Sequence, residues 1–114
     1  MQATEDRDAD FGAFAGKSQL PLMLRDAQRA GLRLVFVRVQ RRPAGGRPPY
    51  QSPALQRYVR DLRAYVESRG GLLLDDTGDP AETLDWYEDG DHLSREGRRR
   101  YTEAFAERVR LQLP

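Results

Sequence analysis

Leu32-Arg33-Leu34-Val35-Phe36-Val37-Arg38-Val39 is the stretch that decides the fold class. Its β-branched run is too continuous for a strand with one wet face, and it fits a strand covered on both faces, as in a parallel sheet. Immediately upstream, Leu20, Leu24 and Ala27, with Met23 and Ala30 alongside, recur at helical spacing. Ser18 can cap that helix, Pro21 suits its first turn, and Gly31 stops it. Downstream, Arg41 to Pro49 holds three prolines and two glycines, so it reads as a loop at the carboxyl end of the strand.

The next segment, Ala54 to Arg69, is the clearest element. Leu55, Tyr58, Val59, Leu62, Tyr65 and Val66 step by three and four, and Arg57, Arg60, Asp61, Arg63 and Glu67 occupy the other side. Gly70 and Gly71 end that helix, and Leu72-Leu73-Leu74 is a short buried strand running into Asp75-Asp76-Thr77-Gly78-Asp79-Pro80. Residues 81–92 read as a short helical turn and then a loop. Ser94 caps a last helix whose inner face is Leu93, Gly97, Tyr101, Phe105 and Val109. The order is helix, strand, helix, strand, loop, helix. Parallel strands joined by a helix form a right-handed βαβ unit, so the expected class is α/β, with part of a three-layer α/β/α flavodoxin-like sheet. The expected organisation is a loose tail over residues 1–16 and a single α/β unit over residues 17–114. Two strands alone expose an apolar edge, so the unit reads as the carboxyl-terminal half of a larger domain.

Composition narrows the function classes. With 19 basic and 18 acidic residues the net charge is +1, which gives no general field for nucleic acid or an anionic membrane. Lys17 is the only lysine, and the arginine bias reads as the mark of a GC-rich, bacterial genome. There is no cysteine, which excludes disulfides, thiolate nucleophiles and zinc–sulfur sites. No stretch approaches the ~20 apolar residues of a membrane helix, and Met1 to Asp10 lacks the order of a secretory signal. As written the chain reads as cytoplasmic, or as an envelope protein if it was cut from a longer parent. No cofactor is implied.

Chemistry concentrates in Trp86-Tyr87-Glu88-Asp89-Gly90-Asp91-His92-Leu93-Ser94, which holds the single histidine. A carboxylate three residues before His92, with glycine between, can fold back and accept a hydrogen bond from the ring Nδ1–H. That fixes the tautomer and leaves Nε2 as a general base. Asp91 competes for the acid role, although an adjacent residue in an extended loop points away from its neighbour. Arg38, Arg41 and Arg42 end the first strand on the presumed ligand side and could hold an anionic substrate; a solvated basic loop is the plainer reading. Trp86 and Tyr87 could line an acyl or sugar pocket or simply pack there. Asp75, Asp76, Asp79, Asp89 and Asp91 with His92 could gather round a divalent cation, but acidic turn residues are usually solvated turn formers. No metal site is assigned.

The block Asp89-Gly90-Asp91-His92-Leu93-Ser94-Arg95-Glu96-Gly97 resembles the last block of the SGNH, or GDSL-like, hydrolase and acyltransferase superfamily. There an Asp-x-x-His is followed by Leu-Ser or Leu-Asn, two residues and a Gly, and the preceding strand–helix–strand order is similar. The flavour is closest to SGNH-like proteins associated with bacterial envelope polysaccharide acetylation. The resemblance implies Asp89 as triad acid, His92 as base, and Gly97 as the position that lets the last helix lie close to the sheet. It also implies Gly-Asp-Ser and Gly-x-Asn-Asp blocks, and this chain has neither, nor any asparagine. Ser18, Ser52, Ser68 and Ser94 all read as caps or helix-end residues, and none lies in a strand-to-helix elbow.

Two functions are therefore expected. The first is the carboxyl-terminal part of an SGNH-like serine esterase or O-acyltransferase acting on an ester or polysaccharide, inactive as this chain alone. Its catalytic residues would be Asp89 and His92, with Trp86, Arg41 and Arg42 near the substrate. The alternative is a non-catalytic α/β module that associates through its exposed sheet edge with a second copy or a complementing chain.

Overall fold

The computed structural model describes residues 10–43, 50–78 and 82–113. Most of the expected 41–49 loop and the turn at Asp79 and Pro80 lie outside these. The described chain is mixed α/β and separates into two compact units. One holds residues 10–38 and 50–75, the other residues 39–43, 76–78 and 82–113.

In the first unit, α1 (Phe11–Phe14) runs into a 3-10 turn (Ala15–Lys17), followed by α2 (Leu20–Arg29), β1 (Val35–Arg38), α3 (Pro53–Ser68) and β2 (Leu72–Asp75). The expectation of a loose tail over residues 1–16 is corrected at its carboxyl end. Residues 1–9 lie outside the described residues, but Phe11 is buried and meets the rings of Tyr58 and Tyr65 edge-on at 5.5 and 5.4 Å. An aromatic anchor of this kind offsets the entropy of ordering a short lead-in segment. Ser18 does not cap α2 as a true N-cap, which is Gln19; its hydroxyl accepts from Leu20 N–H and donates to Ala15 C=O.

The α3 helix follows its sequence pattern closely. The Ser52 hydroxyl accepts the Leu55 N–H, Pro53 opens the first turn, and Val59 and Val66 are buried while the charged side is exposed. Gly70, at φ +83, ends the helix. A side chain at Gly71 would meet Val66 Cγ1 at 2.7 Å, so only glycine lets the chain turn from α3 straight into β2.

The two strands pair in parallel, Val35 opposite Leu72 through Arg38 opposite Asp75, as the strand–helix–strand order requires. They differ in cover. Leu72, Leu73 and Leu74 are buried, whereas Val37 is 36% exposed and Leu32, outside the strand, is 65% exposed. The expectation of an eight-residue strand covered on both faces is thus corrected. The strand is four residues long, and α3 packs on β2 rather than β1, which leaves β1 at the margin of a two-stranded sheet.

The second unit contains a 3-10 turn (Leu84–Trp86), β3 (Tyr87–Asp89), β4 (His92–Leu93) and α4 (Arg95–Gln112). Ser94 caps α4 by accepting the Gly97 N–H at 2.9 Å, as its sequence position predicts. Arg99 and then Arg100 hold the exposed Glu96 carboxyl in the first turn down to about 2. The interior of this unit is polar. Beside the buried Trp86 and Tyr87 lie Gln40, Asp76 and Glu82, each 5% exposed or less.

Candidate functional site

Residues 87–92, expected as a loop, and Leu93, expected on the inner face of the last helix, form a two-stranded antiparallel hairpin instead. Tyr87 pairs with Leu93 and Asp89 with His92, with an irregularity that accommodates Glu88. The turn is Gly90-Asp91, with Gly90 at φ +53. A glycine in the first central position of a two-residue turn matches the right-handed twist of the flanking strands, and this is the signal that a loop reading overlooks. The Ser94 N–H donates to the Trp86 carbonyl at 2.7 Å and closes the base of the hairpin.

This turn sets the two expected catalytic residues directly opposite one another. Paired residues on an antiparallel ladder project from the same face with Cβ atoms about 4.5–5.5 Å apart. A carboxylate and an imidazole at that separation reach hydrogen-bond distance by side-chain rotation alone. In the structure both side chains are exposed, and among the described residues no hydrogen bond joins Asp89 to His92. They flank an open concavity of about 680 Å³ with Glu88, Asp91, Leu93 and Arg98. Arg98 is held by a 3.2 Å bond from its Nη1 to the Leu93 carbonyl.

The other expected site residues divide. Asp91, the competing acid, lines the same concavity but is tied to the chain before the loop. Its carboxylate accepts the Arg42 N–H at 2.8 Å and lies 3.9 Å from Arg41 Nε. Arg41 and Arg42 are therefore beside the hairpin: the Arg41 guanidinium lies near the turn carboxylate, and Arg42 meets it through its backbone N–H. Trp86 is 7% exposed, so it packs rather than lining an open pocket. What it packs against is the start of α4. A Cβ on Gly97 would lie 2.6 and 2.8 Å from the Trp86 carbonyl carbon and Cα, and closer still to its oxygen. The resemblance implied that Gly97 brings the last helix close to the sheet; the close approach is to the Trp86 backbone.

Each serine has a local role. Ser52 and Ser94 cap helices, while Ser18 and Ser68 donate to the carbonyls of Ala15 and Tyr65. Among the acidic residues that could gather round a cation, Asp75 pairs with Arg38 at 3.3 Å and Asp76 is buried against Tyr101 and Arg108. Asp79 lies outside the described residues. Among those described, no group of three acidic or histidine side chains is arranged to hold a metal ion, and no helix is long and apolar enough to cross a membrane.

A feature with no signal in the sequence pattern lies behind the hairpin. The Tyr87 hydroxyl donates to the Gln40 carbonyl at 3.2 Å, and Tyr101 donates to Asp76 at 2.7 Å. Gln40 Nε2 donates to the Glu82 carbonyl at 3.2 Å, while its Oε1 accepts the Gly78 N–H at 2.6 Å. Burial pushes the Tyr87 phenol up, and the charges of Glu82 and Asp91 push it further. Burial and then Glu82 do the same to Tyr101. Compared with protein-family models, curated proteins and solved structures, the chain matches none.

Proposed function

We propose that this chain carries the acid–base segment of an SGNH-like serine esterase or O-acyltransferase, with Asp89 as the acid and His92 as the base. The observation that supports the reading is the cross-strand pairing of Asp89 with His92 over a two-residue turn, at the edge of an open concavity. The parallel β1–β2 pair with α3 between the strands agrees with the corresponding half of a flavodoxin-like α/β/α domain. On this reading a serine and oxyanion donors come from another segment. His92 Nε2 removes the serine proton as the hydroxyl attacks the ester, and later returns it to the leaving alcohol. Asp89 orients the ring and stabilises the imidazolium.

Because His92 is the only histidine, its chemistry can be isolated in the chain as it stands. With p-nitrophenyl acetate, Nε2 attacks the carbonyl, p-nitrophenolate leaves, and water then hydrolyses the acetyl-imidazole. Subtracting the rate of His92→Ala from that of the wild type gives the contribution of His92. Asp89→Asn should lower it roughly three- to tenfold, a small share of what acid–base assistance supplies in a closed site. An unchanged rate in Asp89→Asn would remove Asp89 from the role. A fluorophosphonate adduct on one of the four serines, lost in His92→Ala, would replace the half-site by a complete one.

A second reading rests on the exposure of β1. Among the described residues it pairs on one side only, and it carries the exposed Val37, so its other edge can accept a further strand. The partner this fits is a second copy, with β1 against β1 across a two-fold axis to make a four-stranded sheet. Light scattering at micromolar concentration should then give a dimer mass that drops to monomer in Val37→Lys. A monomer in the wild type removes this reading.

A further inference from the structure

Glu88, Asp89, Asp91, His92, Leu93 and Arg98 line the open concavity beside the hairpin, so Arg98 brings the one permanent positive charge in that lining. A guanidinium has five N–H donors in a fixed fork and no acceptor. One Nη1–H of Arg98 goes to the Leu93 carbonyl at 3.2 Å, and Leu93 is the residue next to His92. Among the described residues Arg98 makes no ion pair, although three carboxylates line the same concavity. Glu96, the carboxylate nearest in sequence, is taken by Arg99 and Arg100. The helix gives no reason for a cation here either. Arg98 lies in the opening turn of α4, where the positive end of the helix dipole disfavours one. The result is a guanidinium tethered beside the base with most of its donors unspent.

Such a group has two uses in an acyl-transfer site. It can anchor an anion that the substrate already carries, or it can donate to charge that appears during the reaction. The lining decides between them. A standing anion meets the carboxylates of Glu88 and Asp89 before it gains one guanidinium, and only Asp91 has a further cation, Arg41, within 3.9 Å. Charge that develops on the ester carbonyl oxygen is not opposed in this way. It appears as the His92 ring becomes positive, so the two new charges offset each other while Arg98 supplies the donor.

We propose that Arg98 is a catalytic residue of this site, whose guanidinium N–H donates to the ester carbonyl oxygen as it becomes an oxyanion. The role rests on the acid–base reading of Asp89 and His92, and it adds a donor from this chain to those of the other segment. With p-nitrophenyl acetate, His92 Nε2 bonds to the acyl carbon and the carbonyl electron pair moves onto oxygen, where Arg98 meets it. The pair returns as the bond to p-nitrophenolate breaks, and water then cleaves the acetyl-imidazole to acetate and a proton.

The test is the His92-dependent rate, with the matching His92→Ala background subtracted, for two esters. One is neutral p-nitrophenyl acetate and the other the anionic mono-p-nitrophenyl ester of adipic acid. Arg98→Met should lower the rate about three- to fivefold for both alike, a small part of the roughly hundredfold or more that one donor supplies in a closed site. Arg98→Lys should keep part of the rate. Millimolar guanidinium chloride should restore part of it to Arg98→Met and leave the wild type unchanged, which replacing a purely structural contact would not do. A fall for the anionic ester alone would make Arg98 a substrate anchor and overturn the proposal. So would an unchanged rate in folded Arg98→Met. If that variant does not fold, Arg98→Gln, whose amide can still donate to the Leu93 carbonyl, takes its place under the same criteria. A His92-dependent rate that falls in Asp89→Asn but not in the Arg98 variants overturns the role of Arg98 alone, whereas no His92-dependent rate overturns the acid–base reading and this role with it.

Discussion

Gly97→Ala should destabilise the protein by about 3 kcal/mol, near the top of the range that overpacking usually costs. The sign is the informative part. In an exposed helix turn alanine is favoured over glycine by about 1 kcal/mol, so propensity alone predicts a gain. At Gly97 the added methyl would fall within 3 Å of three backbone atoms of Trp86, and backbone cannot swing aside as a flexible side chain can. Either α4 retreats from the 3-10 turn, or the Trp86 peptide tilts. The second route breaks the bond from the Ser94 N–H to the Trp86 carbonyl that closes the hairpin base. The first drags the Ser94 cap away with the helix. Trp86 is the only tryptophan, so its fluorescence reports this contact alone. The midpoint of urea unfolding should fall, and the emission should shift to the red as the indole gains water. A variant within about 0.5 kcal/mol of the wild type, the range of ordinary surface changes, would show that the close approach carries no weight. The same substitution should also loosen the Asp89–His92 pairing, since both residues stand on the hairpin whose base Trp86 closes.

What is legible in the sequence follows the reach of each interaction. The α3 helix is plain because its periodicity, its Ser52 cap and its glycine stop all lie within one segment. The parallel pairing of Val35–Arg38 with Leu72–Asp75 follows from the chirality and length of the connection. The cover of β1 does not follow. An apolar run states what a strand tolerates, and which neighbour packs upon it is a property of the assembled unit. Likewise Phe11 sits in a segment with no period of its own. Its burial comes from Tyr58 and Tyr65, more than 45 residues away. In the candidate site, the spacing of Asp89 and His92 points to one short connection, and Asp89-Gly90-Asp91 carries a hairpin signal that a catalytic-loop reading passes over. Gly97 is legible as a close-packing glycine, but its partner is not, because a spacing says that something must approach without saying what. The polar interior of the second unit is the least legible. Gln40, Glu82, Tyr87 and Tyr101 come from three separate stretches, and none has a pattern that sets it apart from a surface residue until the chain is folded.

Asp76→Ala should lower stability by about 3–5 kcal/mol, the cost of leaving the partners of a buried ion pair uncompensated. The Asp76 side chain is fully buried, and it takes both the Tyr101 hydroxyl at 2.7 Å and the Arg108 guanidinium. Tyr101 and Arg108 stand seven residues apart, two turns along the same face of α4, so one carboxylate fastens two levels of the helix. Phe105 lies between them, stacked on Tyr101 at 6.0 Å and 10°, with the Arg108 guanidinium 6.0 Å from its ring. Removing the carboxylate strands the phenol proton in a buried setting, and the Arg108 side chain, 32% exposed, can partly escape to water. Removing Arg108 instead leaves a wholly buried charge with only a phenol for company. Arg108→Ala should therefore cost at least as much as Asp76→Ala, although it deletes the more exposed partner. The double variant should cost less than the sum of the two by more than about 1 kcal/mol, because the second deletion removes the charge that the first left unpaired. Asp76→Asn separates the two contacts: its amide oxygen still accepts from Tyr101, so a loss well below that of Asp76→Ala would assign the larger share to the hydrogen bond. Urea denaturation of the four variants closes the cycle. Single losses under about 1 kcal/mol that simply add would mean that α4 is held by its apolar face, and that the polar interior is a consequence of the fold and not a cause of it.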